Sequence, residues 1–145
     1  MATINATISI SSDILNYPVS ISKTMTMHKL QSSVGLEEST GLSNKRFTAT
    51  TAVKIFDAAN GDTGATAGKA NKIYIRNTGS SRTDFFYVAF ANAAAASDST
   101  ETIGKLYGGD WMLIPWAATA ATTHDVCVAP STAEPMTLEY MAFVE

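Results

Sequence analysis

Residues 71–90, NKIYIRNTGSSRTDFFYVAF, guide the interpretation of the whole chain. Ile73 and Ile75 alternate with Tyr74 and Arg76, which is the period-two pattern of a half-buried β-strand. A short polar turn, TGSSRT, follows, and DFFYVAF then resumes the alternation. The stretch therefore predicts two strands joined as a β-hairpin, with both isoleucines facing the core.

The same alternation recurs along the chain, whereas helical periodicity is scarce. Nine segments fit short strands: residues 3–10, 19–27, 46–56, 71–77, 84–91, 102–106, 111–116, 123–128 and 136–144. Residues 31–45 are polar, contain two glycines and predict a long loop. Nine short strands between turn signals predict an all-β protein, specifically an antiparallel β-sandwich of jelly-roll type.

The N-terminal segment predicts a separate element. We expect residues 18–145 to form one β-sandwich domain and residues 1–17 to form an extended arm or edge strand. Residues 3–10 place four apolar side chains on one face and polar side chains on the other. Two arrangements fit this pattern: an arm that adds to the sheet of a neighbouring subunit, or a strand that pairs within its own sandwich.

Composition excludes several classes of protein. The chain has 145 residues, of which 46% are hydrophobic and 16% charged, with a formal net charge of −3. This apolar content is too high for a disordered chain, and a nucleic-acid-binding protein normally carries a basic stripe. The chain contains no apolar run of roughly 20 residues, and its N-terminus lacks the pattern of a secretory signal. We therefore expect a cytosolic product that binds neither nucleic acid nor membrane.

Residue types that support catalysis or metal binding are few. The chain has two histidines, His28 and His124, and one cysteine, Cys127, whereas a metal site needs three or four converging ligands. In a strand, His124 and Cys127 would point to opposite faces because their spacing is odd. We expect Cys127 to be a small core residue and His28 to be a solvated strand end. The sequence predicts no enzyme activity, no catalytic residue, no metal, no cofactor and no small-molecule substrate.

Apolar side chains occur on both faces of some predicted strands. In DFFYVAF, Phe86, Val88 and Phe90 share one face, while Phe85 and Tyr87 share the other. A sandwich strand has one face on the core, so the second face must be covered by another subunit or by a loop folded over the sheet. The candidate interface residues are Ile4, Ile8, Ile10, Phe85, Tyr87, Tyr107, Trp111, Trp116, Met141 and Phe143.

The second half of the chain, residues 71–144, resembles a β-sandwich family of tailed-bacteriophage head decoration (capsid cement) proteins. The resemblance rests on four segments in the same order: NKIYIRNTGSS, IGKLYGGDWMLIPW, DVCVAPST and PMTLEYMAFVE. It implies a virion protein on the capsid surface that is a homotrimer and contacts the major capsid protein. The same resemblance implies assembly in the host cytoplasm.

Two other functions remain open at this point. One is a different virion component: a head-fibre base, a tail protein or a receptor- or glycan-binding knob with Tyr107, Trp111 and Trp116 as a sugar-stacking platform. The other is a carbohydrate-active module or small hydrolase outside any virus. That function requires carboxylates beside the aromatic side chains, and the sequence does not reveal such a group.

Overall fold

The computed structural model describes residues 3–13, 18–29, 32, 35–36, 38–58, 71–90, 102–117 and 124–145. These residues contain eleven strands and no α-helix, and therefore no helix that would cross a membrane. The strands are β1 (Ile4–Ser12), β2 (Val19–Met27), β3 (Glu38–Ser39), β4 (Ser43–Phe47), β5 (Val53–Phe56), β6 (Asn71–Asn77), β7 (Phe85–Phe90), β8 (Thr102–Tyr107), β9 (Trp111–Trp116), β10 (Val126–Pro130) and β11 (Met136–Val144).

Eight strands, β4 to β11, form a jelly roll. One sheet has the order β4-β11-β6-β9, and the other has the order β5-β10-β7-β8. Every neighbouring pair is antiparallel, and β4 pairs with β11, β5 with β10, β6 with β9 and β7 with β8. This nested pairing of early with late strands is the double-sheet jelly-roll order, so the predicted fold class is confirmed. The two-residue strand β3 lies beside the C-terminal end of β11.

The core lies between the two sheets. Alternate side chains of β6, β7, β10 and β11 are completely enclosed there, among them Ile73, Ile75, Phe86, Val128 and Leu138. Each such side chain contributes roughly 1.5–3 kcal/mol through removal from water. The facing predicted for the isoleucines of β6 and for Phe86 is therefore confirmed.

The hairpin predicted over residues 71–90 is wrong, because β6 and β7 belong to different sheets. Residues 78–84 cross between sheets about 10 Å apart, as do residues 108–110 between β8 and β9. The two crossings touch, since a Cβ added to Gly108 would lie 2.5 Å from the Ser81 nitrogen. Asn77 joins them as well: its Nδ2 donates to the Leu106 carbonyl (3.0 Å), and its own carbonyl accepts from Gly109 N (3.0 Å). Period-two alternation is the same in either arrangement, so it cannot distinguish them.

The segment around residues 31–56 also differs from its prediction. The predicted loop over residues 31–45 contains β3 and the start of β4, and the predicted strand over residues 46–56 is two strands, β4 and β5, in different sheets. In β4 half-buried and exposed side chains alternate up to the buried Phe47, where the strand contributes to the core. Pairing with β11 thus imposes strand geometry on a polar segment.

The first two strands form a sheet of their own. β1 and β2 pair over nine positions, from Ile4 with Met27 to Ser12 with Val19, and belong to neither sheet of the sandwich. We call this hairpin the arm. The domain division after residue 17 falls in the connection between its strands, where residues 14–17 lie outside the described part. β2 has the same alternation as the strands of the sandwich. The sequence therefore predicts β2 as part of the domain and not as the partner of β1.

Candidate functional site

The arm has one apolar and one polar face, because residues paired across the two strands point to the same side. The apolar pairs are Ile4 with Met27, Ala6 with Met25 and Ile10 with Ile21; the polar pairs are Asn5 with Thr26, Thr7 with Thr24, Ser9 with Ser22 and Ser11 with Ser20. On the polar face the hydroxyls of Thr7 and Thr24 hydrogen-bond at 2.9 Å, and Thr26 donates to Asn5 Oδ1 at 2.7 Å. These side chains hold the two strands in register.

Much of the apolar face of the arm is exposed. Four of its side chains have between 38% and 47% of their surface accessible: Ile8, Ile10, Ile21 and Met25. Covering one of them would contribute about 1 kcal/mol. Lys23, the cross-strand partner of Ile8, places a single positive charge on the same face. The predicted interface residues Ile8 and Ile10 thus lie on an accessible surface, whereas Ile4 is half-buried near the base.

The base of the arm is attached to the sandwich near the end of β11. Met27 is only 1% exposed. The backbone N–H of His28 donates to Glu145 Oε1 at 3.3 Å, and Lys72 forms an ion pair with Glu145 Oε2. Desolvation lowers the pKa of Lys72. His28 is half-buried, with its Nδ1 enclosed and without a hydrogen-bond partner among the described residues, so the predicted solvated strand end is wrong.

A cleft of about 780 Å³ separates the arm from the outer face of the β4-β11-β6-β9 sheet. Residues 4–8 of the arm form one wall, and Tyr74, Arg76, Trp111 and Leu113 lie on the opposite wall. Trp111 is 49% exposed, the most accessible aromatic side chain among the described residues. The cleft therefore combines an open indole ring with charged and hydroxyl-bearing groups.

Strand register aligns four side chains in one row across this outer face. Asn44 of β4 pairs with Glu139 of β11, Glu139 pairs with Arg76 of β6, and Arg76 pairs with Trp111 of β9. The Tyr74 hydroxyl donates to Glu139 Oε1 at 2.8 Å, and burial followed by this hydrogen bond raises the pKa of Tyr74. The sequence did not predict this row because its four members lie 28 to 95 positions apart along the chain, and only sheet register aligns them.

A second aromatic cluster lies on the outer face of the β5-β10-β7-β8 sheet. Phe85 contacts Tyr87 edge-to-face, with ring centroids 4.9 Å apart, and Tyr107 at 5.1 Å. Lys105 Nζ lies 4.5 Å from the centre of the Phe85 ring, in a cation–π contact. Three predicted interface residues are therefore together on one half-buried face.

Trp116 is a core residue, which corrects its assignment to the interface. It is 3% exposed, packs against Phe56 with ring centroids 5.7 Å apart, and donates from Nε1 to the His124 carbonyl at 2.7 Å. Trp111 and Trp116 are five positions apart in one strand and must point to opposite faces. Tyr107 lies on the other sheet, so the predicted three-residue sugar platform does not exist.

The remaining two interface candidates, Met141 and Phe143, occupy the outer face of β11. Met141 is half-buried and pairs in register with Tyr74. Phe143 is buried and also lines the cleft near Met27. The arm therefore partly covers an apolar surface of the sandwich.

Cys127 is buried, as predicted. Burial, reinforced by the charge of Asp125, raises its pKa to about 11, so the thiol keeps its proton at neutral pH. Asp125 accepts from Ala58 N at 2.8 Å and from Lys54 Nζ at 2.9 Å, and Lys54 also binds Asp57 at 2.7 Å. These bonds join β5 to β10. No group of three or more His, Cys, Asp or Glu residues suited to a metal ion occurs in the described part of the chain.

Comparisons of the sequence with protein-family models and with curated proteins found no match. The resemblance of residues 71–144 to capsid decoration proteins therefore stays a prediction.

Proposed function

We propose that this protein is a non-enzymatic structural component of a virion, a decoration protein that binds the outside of a capsid and stabilises it. It acts as a homotrimer on the capsid surface, with the major capsid protein as its partner. The observation that carries the proposal is the arm: a two-stranded hairpin outside the sandwich, four of whose described apolar side chains are between 38% and 47% exposed.

The arm has two means of binding a neighbouring protein. Its exposed isoleucines and Met25 supply apolar surface, and each of its strands is paired on one side only within the described residues. A neighbouring strand that adds to such an edge gains main-chain hydrogen bonds, with alternate side chains setting the register. Nine residues per strand give the arm a reach of about 30 Å.

Trimer formation would multiply the strength of these contacts. When three arms engage one lattice together, the second and third contacts form at high effective concentration, which raises affinity by roughly 10²–10⁴ without stronger individual contacts. The half-buried cluster of Phe85, Tyr87 and Tyr107 is the surface we assign to contacts between subunits, because aromatic side chains are enriched at interfaces. Jelly rolls occur in capsid proteins, which agrees with the proposal by analogy of fold alone.

Co-sedimentation with capsids tests the proposal. Capsids assembled without this chain are incubated with the purified protein, and bound copies are counted by mass spectrometry. We expect nearly one copy per major capsid subunit, and a free protein with three times the 15.4 kDa chain mass in sedimentation equilibrium. A few copies per particle, as for a tail or fibre component, would contradict a decoration role.

A shortened arm identifies the binding element. Replacing residues 9–22 with Asn-Gly joins the paired residues Ile8 and Lys23 by a two-residue turn and leaves the base intact. We expect capsid binding to weaken at least 100-fold while the sandwich stays folded by circular dichroism. The control is Leu42→Ser, which removes a more exposed apolar side chain (58% accessible) outside the arm. Unchanged binding by the shortened protein would refute the role of the arm.

A further inference from the structure

We infer that the outer face of the β4-β11-β6-β9 sheet, beneath the arm, binds a neutral oligosaccharide. The inference is independent of the decoration role, since it concerns a different surface and a different ligand. It rests on the row of Asn44, Glu139, Arg76 and Trp111 and on the cleft, which is lined by Arg76 and Trp111 of that row.

Trp111 supplies the stacking surface. Its indole ring is 49% exposed and lines the cleft, whereas aromatic side chains of the core are enclosed. One face of a pyranose ring presents C–H groups, and these pack against the electron-rich face of an aromatic ring while the hydroxyls point outward. An exposed tryptophan at an edge strand is suited to this contact because the sugar can approach it from solvent.

Arg76 and Glu139 supply hydrogen bonds beside the ring. A guanidinium has five donors in a fixed fork, and a carboxylate has about four acceptor sites, of which the Tyr74 hydroxyl uses one on Glu139. Neighbouring hydroxyls of a sugar donate and accept at short spacing, so an adjacent guanidinium and carboxylate match them. Charge-assisted bonds of this kind are roughly twice as strong as neutral ones.

The paired charges favour a neutral ligand. Glu139 and Arg76 are direct cross-strand partners, so their charges compensate each other at the centre of the row. Asn44 extends the row as a neutral amide that both donates and accepts. Lys23 on the arm wall of the cleft is the one cation of the lining without a carboxylate as its cross-strand partner. At the row itself a uronic acid or a phosphorylated sugar would meet the Glu139 carboxylate, which disfavours it there.

The cleft has the dimensions of a ligand site. Its volume of about 780 Å³ lies within the roughly 300–1,000 Å³ typical of small-molecule pockets. The arm provides the second wall, where Ile8, Met25 and Lys23 line the cleft with two apolar side chains and one ammonium group. A bound oligosaccharide would therefore contact both the sheet and the arm.

Titration with sugars tests the inference. The probes are neutral hexasaccharides of glucose, galactose and mannose, in α- and β-linked forms, with a hexauronate as the acidic comparison. Intrinsic fluorescence reports occupancy because Trp111 is accessible and Trp116 is buried. We expect at least one neutral hexasaccharide to shift the emission of Trp111 to shorter wavelength in a saturable manner.

Variants measured by calorimetry assign the site without relying on the fluorescent residue. We expect Trp111→Ala and Arg76→Gln each to weaken binding at least tenfold, and Ile10→Thr, on the arm but outside the cleft lining, to leave it unchanged. Arg76 is exposed on the sheet surface, so its substitution keeps the fold even if Trp111→Ala does not. The inference is overturned if no neutral hexasaccharide binds at 10 mM, if only the hexauronate binds, or if both variants bind like the unmodified protein.

Discussion

The arm and the sandwich are built from the same alternating pattern but bury very different amounts of surface. In β6 every second side chain is enclosed by the opposite sheet, as Ile73 and Ile75 show. In β1 the corresponding isoleucines at positions 8 and 10 remain more than 40% accessible. Alternation therefore indicates that a strand has an apolar face, but it does not indicate which surface covers that face. The difference lies in the partner: β6 has a second sheet opposite it, whereas in the described part of the chain the apolar face of β1 meets the cleft and solvent.

The largest expected effect on stability comes from a pair of substitutions, one at an apolar residue of the sandwich and one at an apolar residue of the arm. Phe86→Ala should lower the free energy of unfolding by about 3–5 kcal/mol, because it leaves a cavity beside Phe47, whose ring centroid is 5.2 Å away. Ile10→Ala should change it by about 0.5 kcal/mol or less, since little burial is lost. Urea unfolding followed by fluorescence measures both. Similar losses for the two variants would mean that the arm belongs to the same core as the sandwich.

The next effect concerns the two crossings between sheets. Gly108→Ala should cost about 1–3 kcal/mol, because the added Cβ would lie within 2.6 Å of three backbone atoms of Ser80 and Ser81. Gly104→Ala in β8 is the matched control, since nothing lies within 4 Å of its added Cβ. Thermal unfolding of both variants tests this. If the two substitutions are equally tolerated, the crossings do not pack as described.

A third effect depends on pH and concerns the outer face of the β5-β10-β7-β8 sheet, where Cys127 is enclosed. Its folded-state pKa of about 11 is above the ordinary value of 9.0, so between these values the folded protein keeps a proton that the unfolded chain loses. The contribution of the Cys127 thiol to the free energy of unfolding is therefore fully present below pH 9. It falls as the pH rises, by on the order of 2 kcal/mol at pH 11.

Cys127→Ala should remove this component of the pH dependence. Urea unfolding of both proteins between pH 8 and 10.5 gives the slope of the free energy of unfolding against pH. Both proteins contain the same lysines and tyrosines, so a difference between the two slopes comes from Cys127. Rapid reaction of the unmodified protein with a thiol reagent at pH 8, faster than unfolding, would show that this face is open like the arm.

The smallest expected effect lies on the polar face of the arm. Thr24→Ala removes the exposed hydroxyl contact with Thr7 and should lower stability by about 0.5 kcal/mol or less. Hydrogen exchange of the arm amides should accelerate while exchange in β6 stays the same. An equal acceleration in both regions would show that arm and sandwich unfold as one unit.

Individual residues show what local pattern could predict about the surface. The positions of Phe85 and Tyr87 beside Phe86 and Val88 predict that both lie on the outer face, and their placement on the outer sheet surface follows that parity. The prediction of Trp116 as an interface residue is wrong, and the same parity rule, applied from Trp111, places it on the core side. For this residue the signal was present in the sequence.

The row of Asn44, Glu139, Arg76 and Trp111 has no comparable signal in the local sequence pattern. Glu139 and Arg76 lie on strands far apart in the chain, and a shift of one residue in either register would move them to opposite faces. The carboxylate missing from the sequence-based search for a carbohydrate site is therefore present in the fold. Local pattern does not carry information about which strands become neighbours.

The sequence by itself determined that this chain forms strands, which side chains of each strand are apolar, and that Cys127 is enclosed. Those properties depend on period-two alternation and residue type, which are local. Only the tertiary structure decided that β6 and β7 separate into two sheets, that β2 leaves the sandwich to pair with β1, and that four distant residues form one row. Those outcomes depend on long-range strand pairing, in which the packing of whole sheets and the crossing of their connections outweigh the preference of any single segment.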